Sequence, residues 1–252
     1  MGQAIKKVIC MRYGEEPRNE KTRPGPRIGF FERFIRSRQS QPTARRFSEY
    51  ADALRLGEAD LENLRGKRVL DIGAGASNFS QECNRRGIFA VALDPMARRA
   101  MKAHDLGPKF ASESRLVAGV AEALPFADES LDLIVSMNSA LAHPVDMPVA
   151  RQFLHPSKMD AEATLEAWSR EYFESLRALR RGGEMRIYPY GGKSGAEYTP
   201  LLDKVLEKIR ESGFDIKIMP QNKGLFGCIR ITKAAAADMQ KLAGLLEIRR
   251  HR

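Results

Sequence analysis

The sequence predicts an α/β fold built on a doubly wound, mostly parallel sheet, and three observations carry that reading. From residue 67 onward, short apolar runs rich in β-favouring residues alternate with helical patterns, as crossover helices on a sheet require. The runs are continuously apolar rather than alternating, so both faces of the sheet are covered. The first of them ends in Gly73-Ala74-Gly75, a glycine turn leading from strand to helix.

Taken in order, Val69 to Ile72 is a short buried strand, and Ser77 or Asn78 caps a helix on which Phe79 and Cys83 share a face and which Gly87 stops. A second strand, Ile88 to Leu93, ends at Asp94-Pro95. The expected continuation is a helix from Met96 to His104, a third strand from Arg115 to Val120 and a fourth from Leu131 to Met137. The stretch from Ser139 to Ser157, with three prolines and no clear period, reads as a long loop. Ala161 to Arg181 is the strongest helix, with Leu165, Trp168, Tyr172, Leu176 and Leu179 on one stripe and Gly182-Gly183 at its end. A fifth strand, Glu184 to Tyr190, a loop from Gly191 to Gly195, and a helix from Leu201 to Glu211 follow. Phe214 to Met219 and Gly227 to Thr232 form a final pair of strands around a turn at Pro220 to Gly224. Residues 234 to 252 are Ala-rich and helical. The expected organisation is a basic helical leader over 1–56, the main domain over 57–233 and a C-terminal helix over 234–252.

Composition narrows the class. With 252 residues and 43% apolar content, the chain has enough material for a core of about one large domain. Its +10 formal charge is concentrated at the front, where residues 1–50 hold twelve basic and five acidic residues. Arg23 to Arg46 interleaves cations with Phe30, Phe31 and Phe34, a pattern that suits a nucleic acid or another polyanion. The same phenylalanines have helical spacing and equally suit a leader helix docked on the main domain. No apolar run is long enough to span a bilayer, no signal-peptide core precedes the domain, and the reading places the protein in the cytoplasm. Cys10, Cys83 and Cys228 fit neither a disulfide framework nor a zinc site, and the four histidines have no ligand spacing, so no metal is expected.

The chemistry lies in Val69-Leu70-Asp71-Ile72-Gly73-Ala74-Gly75-Ala76-Ser77. Glycines permit the sharp turn and close approach of a ligand, and the helix start offers free amides. Asp94 ends the second strand, where a carboxylate can accept both hydroxyls of a ribose. Together these imply an adenosine-type cofactor. The nicotinamide fingerprint would have a third glycine, which this turn lacks. Asp71 would repel a pyrophosphate but suits the ammonium of an amino acid, which favours S-adenosylmethionine.

On these residues the chain resembles the class I S-adenosylmethionine-dependent methyltransferases, in particular those with a DxGxG motif and a later AExLPFxDxSFD segment. Ala121-Glu122-Ala123-Leu124-Pro125-Phe126-Ala127-Asp128-Glu129-Ser130-Leu131-Asp132 reproduces the second motif, and Leu176 to Gly183 is similar to the family's LRPGG. The resemblance covers residues 67 to 190. It implies a Rossmann-like seven-stranded sheet, mostly parallel with an antiparallel last strand. It further implies that Asp71, Gly73, Ala74 and Gly75 form the turn at the methionine end, that Asp94 holds the ribose, and that Pro95 and Met96 flank the adenine. Ala121 and Glu122 would lie on the adenine's other edge, and Ser136 to Asn138 would face the sulfonium. Val120 departs from the pattern: the family often has an Asp there for the adenine amino group, so that either cofactor affinity is lower or Glu122 substitutes.

Methyl transfer is an in-line displacement, so the protein mainly orients the reactants and excludes water. If the acceptor must lose a proton, His143 is the candidate base; Asn138 and Tyr190 are candidates to line the acceptor pocket. The motif of base-amino methyltransferases is absent, its place being held by Ser136-Met137-Asn138-Ser139. The expected function is methyl transfer to a small molecule. The alternatives are RNA methylation through residues 23–46 and a catalytically silent binding module. Oligomeric state is left open.

Overall fold

Arg68–Ile72 (β1) occupies the middle of the sheet because its side chains are apolar toward both faces: Val69 joins one hydrophobic core, Leu70 and Ile72 the other. The computed structural model describes residues 44–95, 97, 107–139, 141–142, 161–191, 199–221 and 226–248. These lie within one compact unit, 41–252. The basic stretch from Arg23 to residue 43, Met96, His143 and most of the expected helix from Met96 to His104 lie outside the described residues.

Six more strands complete the sheet: Phe89–Leu93 (β2), Leu116–Val117 (β3), Leu131–Met137 (β4), Leu179–Tyr190 (β5), Asp215–Pro220 (β6) and Gly227–Thr232 (β7). Their order is β3-β2-β1-β4-β5-β7-β6, parallel throughout except that β7 runs antiparallel to both its neighbours. This is the expected doubly wound sheet of seven strands with a reversed last strand. In this order the carboxyl ends of β1, β2 and β4 are adjacent, and that edge assembles the candidate site.

Helices Phe47–Ala53 (α1), Glu58–Asn63 (α2) and Phe79–Arg85 (α3) belong to the core containing Val69, Ala90, Leu133, Val135 and Met137. Ala161–Ala178 (α5), Thr199–Glu211 (α6) and Met239–Leu245 (α7) join the other core, around Leu93, Ile134, Met185, Ile187, Ile229 and Ile231. Pro108–Ser114 (α4) packs beside α3. The end of α1 is fastened to the sheet by the buried Arg186 of β5, whose guanidinium donates to the carbonyls of Leu54 and Arg55 and pairs with Glu184 and Asp60.

Several boundaries differ from the sequence expectation. The third strand is two residues long, because the backbone leaves the sheet at Ala118. The long helix stops at Ala178 rather than Arg181. The buried ammonium of Lys233 satisfies the carbonyls of Leu176 and Leu179 at its end, and Arg180 to Gly183 form an irregular start to β5. The C-terminal helix begins at Met239 instead of 234, because the Asp238 side chain accepts from the amides of Gln240 and Lys241 and caps it.

Candidate functional site

The glycine turn is strapped to the end of the neighbouring strand. The amides of Gly73 and Ala74 both donate to the Leu93 carbonyl, and the Gly75 amide donates to Oδ2 of Asp94 at 2.9 Å. Gly73 and Gly75 hold φ of +72° and +57°, the left-handed region in which a side chain is strained. Asp94 is itself set by its amide, which donates to the Val117 carbonyl of β3. Thus the ends of β1, β2 and β3 are tied into one frame, with Asp94 at its centre and Pro95 exposed beside it.

Gly73 must lack a Cβ because a neighbour occupies its place: a Cβ there would overlap the Cβ of Ser139. The Ser139 hydroxyl donates to the Ile72 carbonyl at 2.8 Å and lies 2.6 Å from the Ser136 hydroxyl. The chain leaving β4 is therefore stitched to the turn. Between those serines Asn138 is exposed, adopts φ +50°, and its amide donates to the Tyr188 carbonyl. A non-glycine residue held there costs energy and is often found at functional sites.

Asp71 is fully buried. Its carboxyl accepts from the Tyr50 hydroxyl at 3.3 Å and the Ser77 hydroxyl at 3.4 Å. Burial pushes it up to about 8; the nearby Asp94 charge adds to this, while the bonds from Tyr50 and Ser77 and the charge of Arg45 pull it back. Tyr50 is also fully buried, with its ring stacked on Phe79 at 4.8 Å. The Asn78 amide, at the start of α3, donates to the Arg45 carbonyl, and Asn78 Oδ1 is buried without a partner.

Ala121 is buried and Glu122 half-buried in the segment after β3. Arg177 of α5 fixes this segment by donating to the carbonyls of Leu124 and Phe126 and by pairing with Asp128. Glu171, six residues earlier on α5, is fully buried, and both its carboxyl oxygens lack a hydrogen-bond partner among the described residues. Burial raises it well above the usual carboxylate range, and the Glu122 charge adds to the effect. The Tyr190 hydroxyl is engaged with Asp203 of α6 at 2.8 Å, and burial followed by that contact pushes it up to about 12.

The structure thus brings Asp71, Gly73, Ala74, Gly75, Asp94, Ser136 and Asn138 to one edge, with Ala121 and Glu122 following β3. Tyr190 stands at the end of β5, its hydroxyl turned to α6. Sequence reasoning missed Tyr50 and Ser139. Tyr50 lies three residues after Phe47, a spacing that announces a docked helix but not a hydroxyl beneath the turn; Ser139 lies in a stretch with no period. Among the described residues no cluster could hold a metal ion, and no helix is long and apolar enough to cross a membrane.

These features suit an S-adenosyl compound: a buried acid and a side-chain oxygen at the start of α3 that have, among the described residues, no bonded cation and no hydrogen-bond partner respectively, and a carboxylate fixed at the end of β2. Comparison with known proteins gives a family. Residues 69–158 match the methyltransferase domain family. The chain is 28% identical over 165 residues to a ubiquinone biosynthesis O-methyltransferase of Roseobacter denitrificans, covering 62% of this chain and 63% of that protein. It is 36% identical over 112 residues to an uncharacterized methyltransferase of Mycobacterium sp., covering 42% of each. The chain therefore spans between about two fifths and just under two thirds of these relatives' lengths. Among solved structures, a magnesium protoporphyrin IX methyltransferase of Synechocystis with bound S-adenosylmethionine aligns with 75% of this chain and 79% of its own, at 12% identity and a TM-score of 0.49. The methyltransferase domain match over residues 69–158 takes in β1, the glycine turn, β2, β3 and β4, the strands whose ends assemble this site.

Proposed function

We propose that the protein is an S-adenosylmethionine-dependent methyltransferase whose acceptor is a small molecule. The observation that carries the reading is the Gly75 to Asp94 hydrogen bond, which holds a carboxylate at the end of β2 beside a left-handed glycine turn. In this reading Asp94 accepts from the ribose hydroxyls, with Pro95 and Met96 on one side of the adenine and Ala121 and Glu122 on its other edge. Asp71 and the turn Gly73-Ala74-Gly75 receive the methionine end. The cofactor, when bound, supplies an electrophilic methyl group and its own leaving group, so the chain's task is binding, alignment and exclusion of water.

Ser136 and Asn138 lie at the end of β4, the edge from which an acceptor would approach. The left-handed backbone of Asn138 fixes its direction there. Tyr190 lines the approach with its ring rather than its hydroxyl, which is engaged by Asp203. His143, in the segment after β4, is the base for acceptors that must lose a proton. The small-molecule reading is supported by the relative named as a ubiquinone biosynthesis O-methyltransferase. The test is transfer of a radiolabelled methyl group from S-adenosylmethionine to a panel of phenols, amines and carboxylates, with tRNA and rRNA as further arms. Labelling of a small molecule that is lost in Asp94→Ala supports the proposal; labelling of RNA alone contradicts the acceptor class.

A further inference from the structure

Beneath the glycine turn, Asp71 is a fully buried carboxyl whose two bonded neighbours are hydroxyls, at distances long for an O–H to carboxylate bond. Tyr50 faces it from α1 and Ser77 from the turn. The carboxylate of Asp94 stands at the end of β2, and the Cys83 thiol of α3 feels its charge. Its strand neighbours Ala92 and Val135 carry no charge. Arg45, just before α1, is the cation whose field reaches it, and no described cation bonds to it. A buried acid with hydroxyl partners and a second acid nearby holds its proton.

We propose that Tyr50 is a positioning residue for Asp71, and that a ligand bringing an ammonium group to the turn drives the Asp71 proton into solvent, so that ligand binding and ionisation of Asp71 are linked and the Tyr50 bond tightens with them. The inference rests on the cofactor reading above, since the ammonium is that of the methionine end. An opposite charge within about 4–6 Å favours the ionised carboxyl. Once ionised, Asp71 turns the Tyr50 bond into a charge-assisted one, which is shorter and stronger. Tyr50 can respond because its ring is anchored independently, stacked on Phe79 alongside Phe47. The Tyr50 hydroxyl, carried by α1, is thereby coupled to the charge of the ligand. The adenosine part of the ligand makes no demand on this device.

The experiment is calorimetric titration at pH 7 in phosphate and in Tris, whose ionisation enthalpies differ, so that the buffer dependence of the heat counts protons released. S-adenosylhomocysteine carries the ammonium, whereas 5′-methylthioadenosine keeps the adenosine and lacks it. Wild type is expected to release about half a proton or more per S-adenosylhomocysteine bound, and none with 5′-methylthioadenosine. Asp71→Asn abolishes the release. Tyr50→Phe keeps the ring stack and is expected to weaken S-adenosylhomocysteine roughly tenfold while leaving 5′-methylthioadenosine unchanged; a purely structural Tyr50 would weaken both alike. Binding of S-adenosylhomocysteine by wild type without proton release overturns the inference and leaves the cofactor reading standing. Failure of both ligands to bind overturns the cofactor reading, and the inference with it.

Discussion

The amide of Gly75 and the carboxylate of Asp94, nineteen positions apart in sequence, hold each other at 2.9 Å. This bond makes the glycine turn and the end of β2 one rigid unit. Gly75 also sits at φ +57°, so Gly75→Ala adds a left-handed penalty of about 1–2 kcal/mol. Any relaxation of that strain moves the amide away from Asp94. The expected outcome is a melting temperature lower by several degrees and weaker binding of S-adenosylhomocysteine, read by thermal denaturation and titration.

A second prediction concerns Gly73 and Ser139. Gly73→Ala brings a Cβ into the Ser139 side chain in addition to the left-handed strain at φ +72°. The double variant Gly73→Ala/Ser139→Gly removes the clash and leaves the strain. Its melting temperature is therefore expected to lie above that of Gly73→Ala alone, despite carrying one more substitution. Additive losses would show that the two side chains do not compete for the same space.

Asp71 sets a pH dependence whose sign follows from its environment. Its carboxyl is held at about 8 in the fold, against an ordinary value of 3.8. Between these values the folded protein keeps a proton that the unfolded chain has lost. Stability contributed by that proton is present at low pH and lost as the pH rises toward 8, by about 1.4 kcal/mol per unit. The denaturant midpoint without ligand should be lower at about pH 7.5 than at about pH 5.5 for wild type, and should change less for Asp71→Asn.

Glu171 offers a gain in stability. Its buried carboxyl makes no hydrogen bond among the described residues, and an unsatisfied buried polar group costs about 1–3 kcal/mol. Glu171→Leu, among the apolar neighbours of α5, is expected to raise the melting temperature by about 2–4 °C for each kcal/mol regained. A fall would mean that the carboxyl is needed where it stands.

Much of the fold was legible in the sequence because each face of the sheet is apolar. Leu133, Val135 and Met137 of β4 serve one core and Ile134 the other, which turns a two-sided strand into a continuous apolar run. The glycine turn and Asp94 were legible because their geometry demands particular residue types. The end of α5 was not, since Lys233, some fifty residues away, supplies the partner for its last carbonyls. Tyr50 and Ser139 were hidden for the same reason. Their roles depend on which elements meet, Tyr50 with Asp71 and Ser139 with Ile72, and no local period records such a meeting.

The most direct test of the cofactor site is titration calorimetry of S-adenosylmethionine and S-adenosylhomocysteine into wild type and Asp94→Ala, with the melting temperature of each protein measured alongside. Wild type should bind both ligands in the micromolar range, and a folded Asp94→Ala should lose at least about tenfold in affinity, as expected when a charged hydrogen-bond acceptor is removed. Absence of binding by wild type, or equal affinity in the folded variant, would contradict the placement of the cofactor at the ends of β1 and β2.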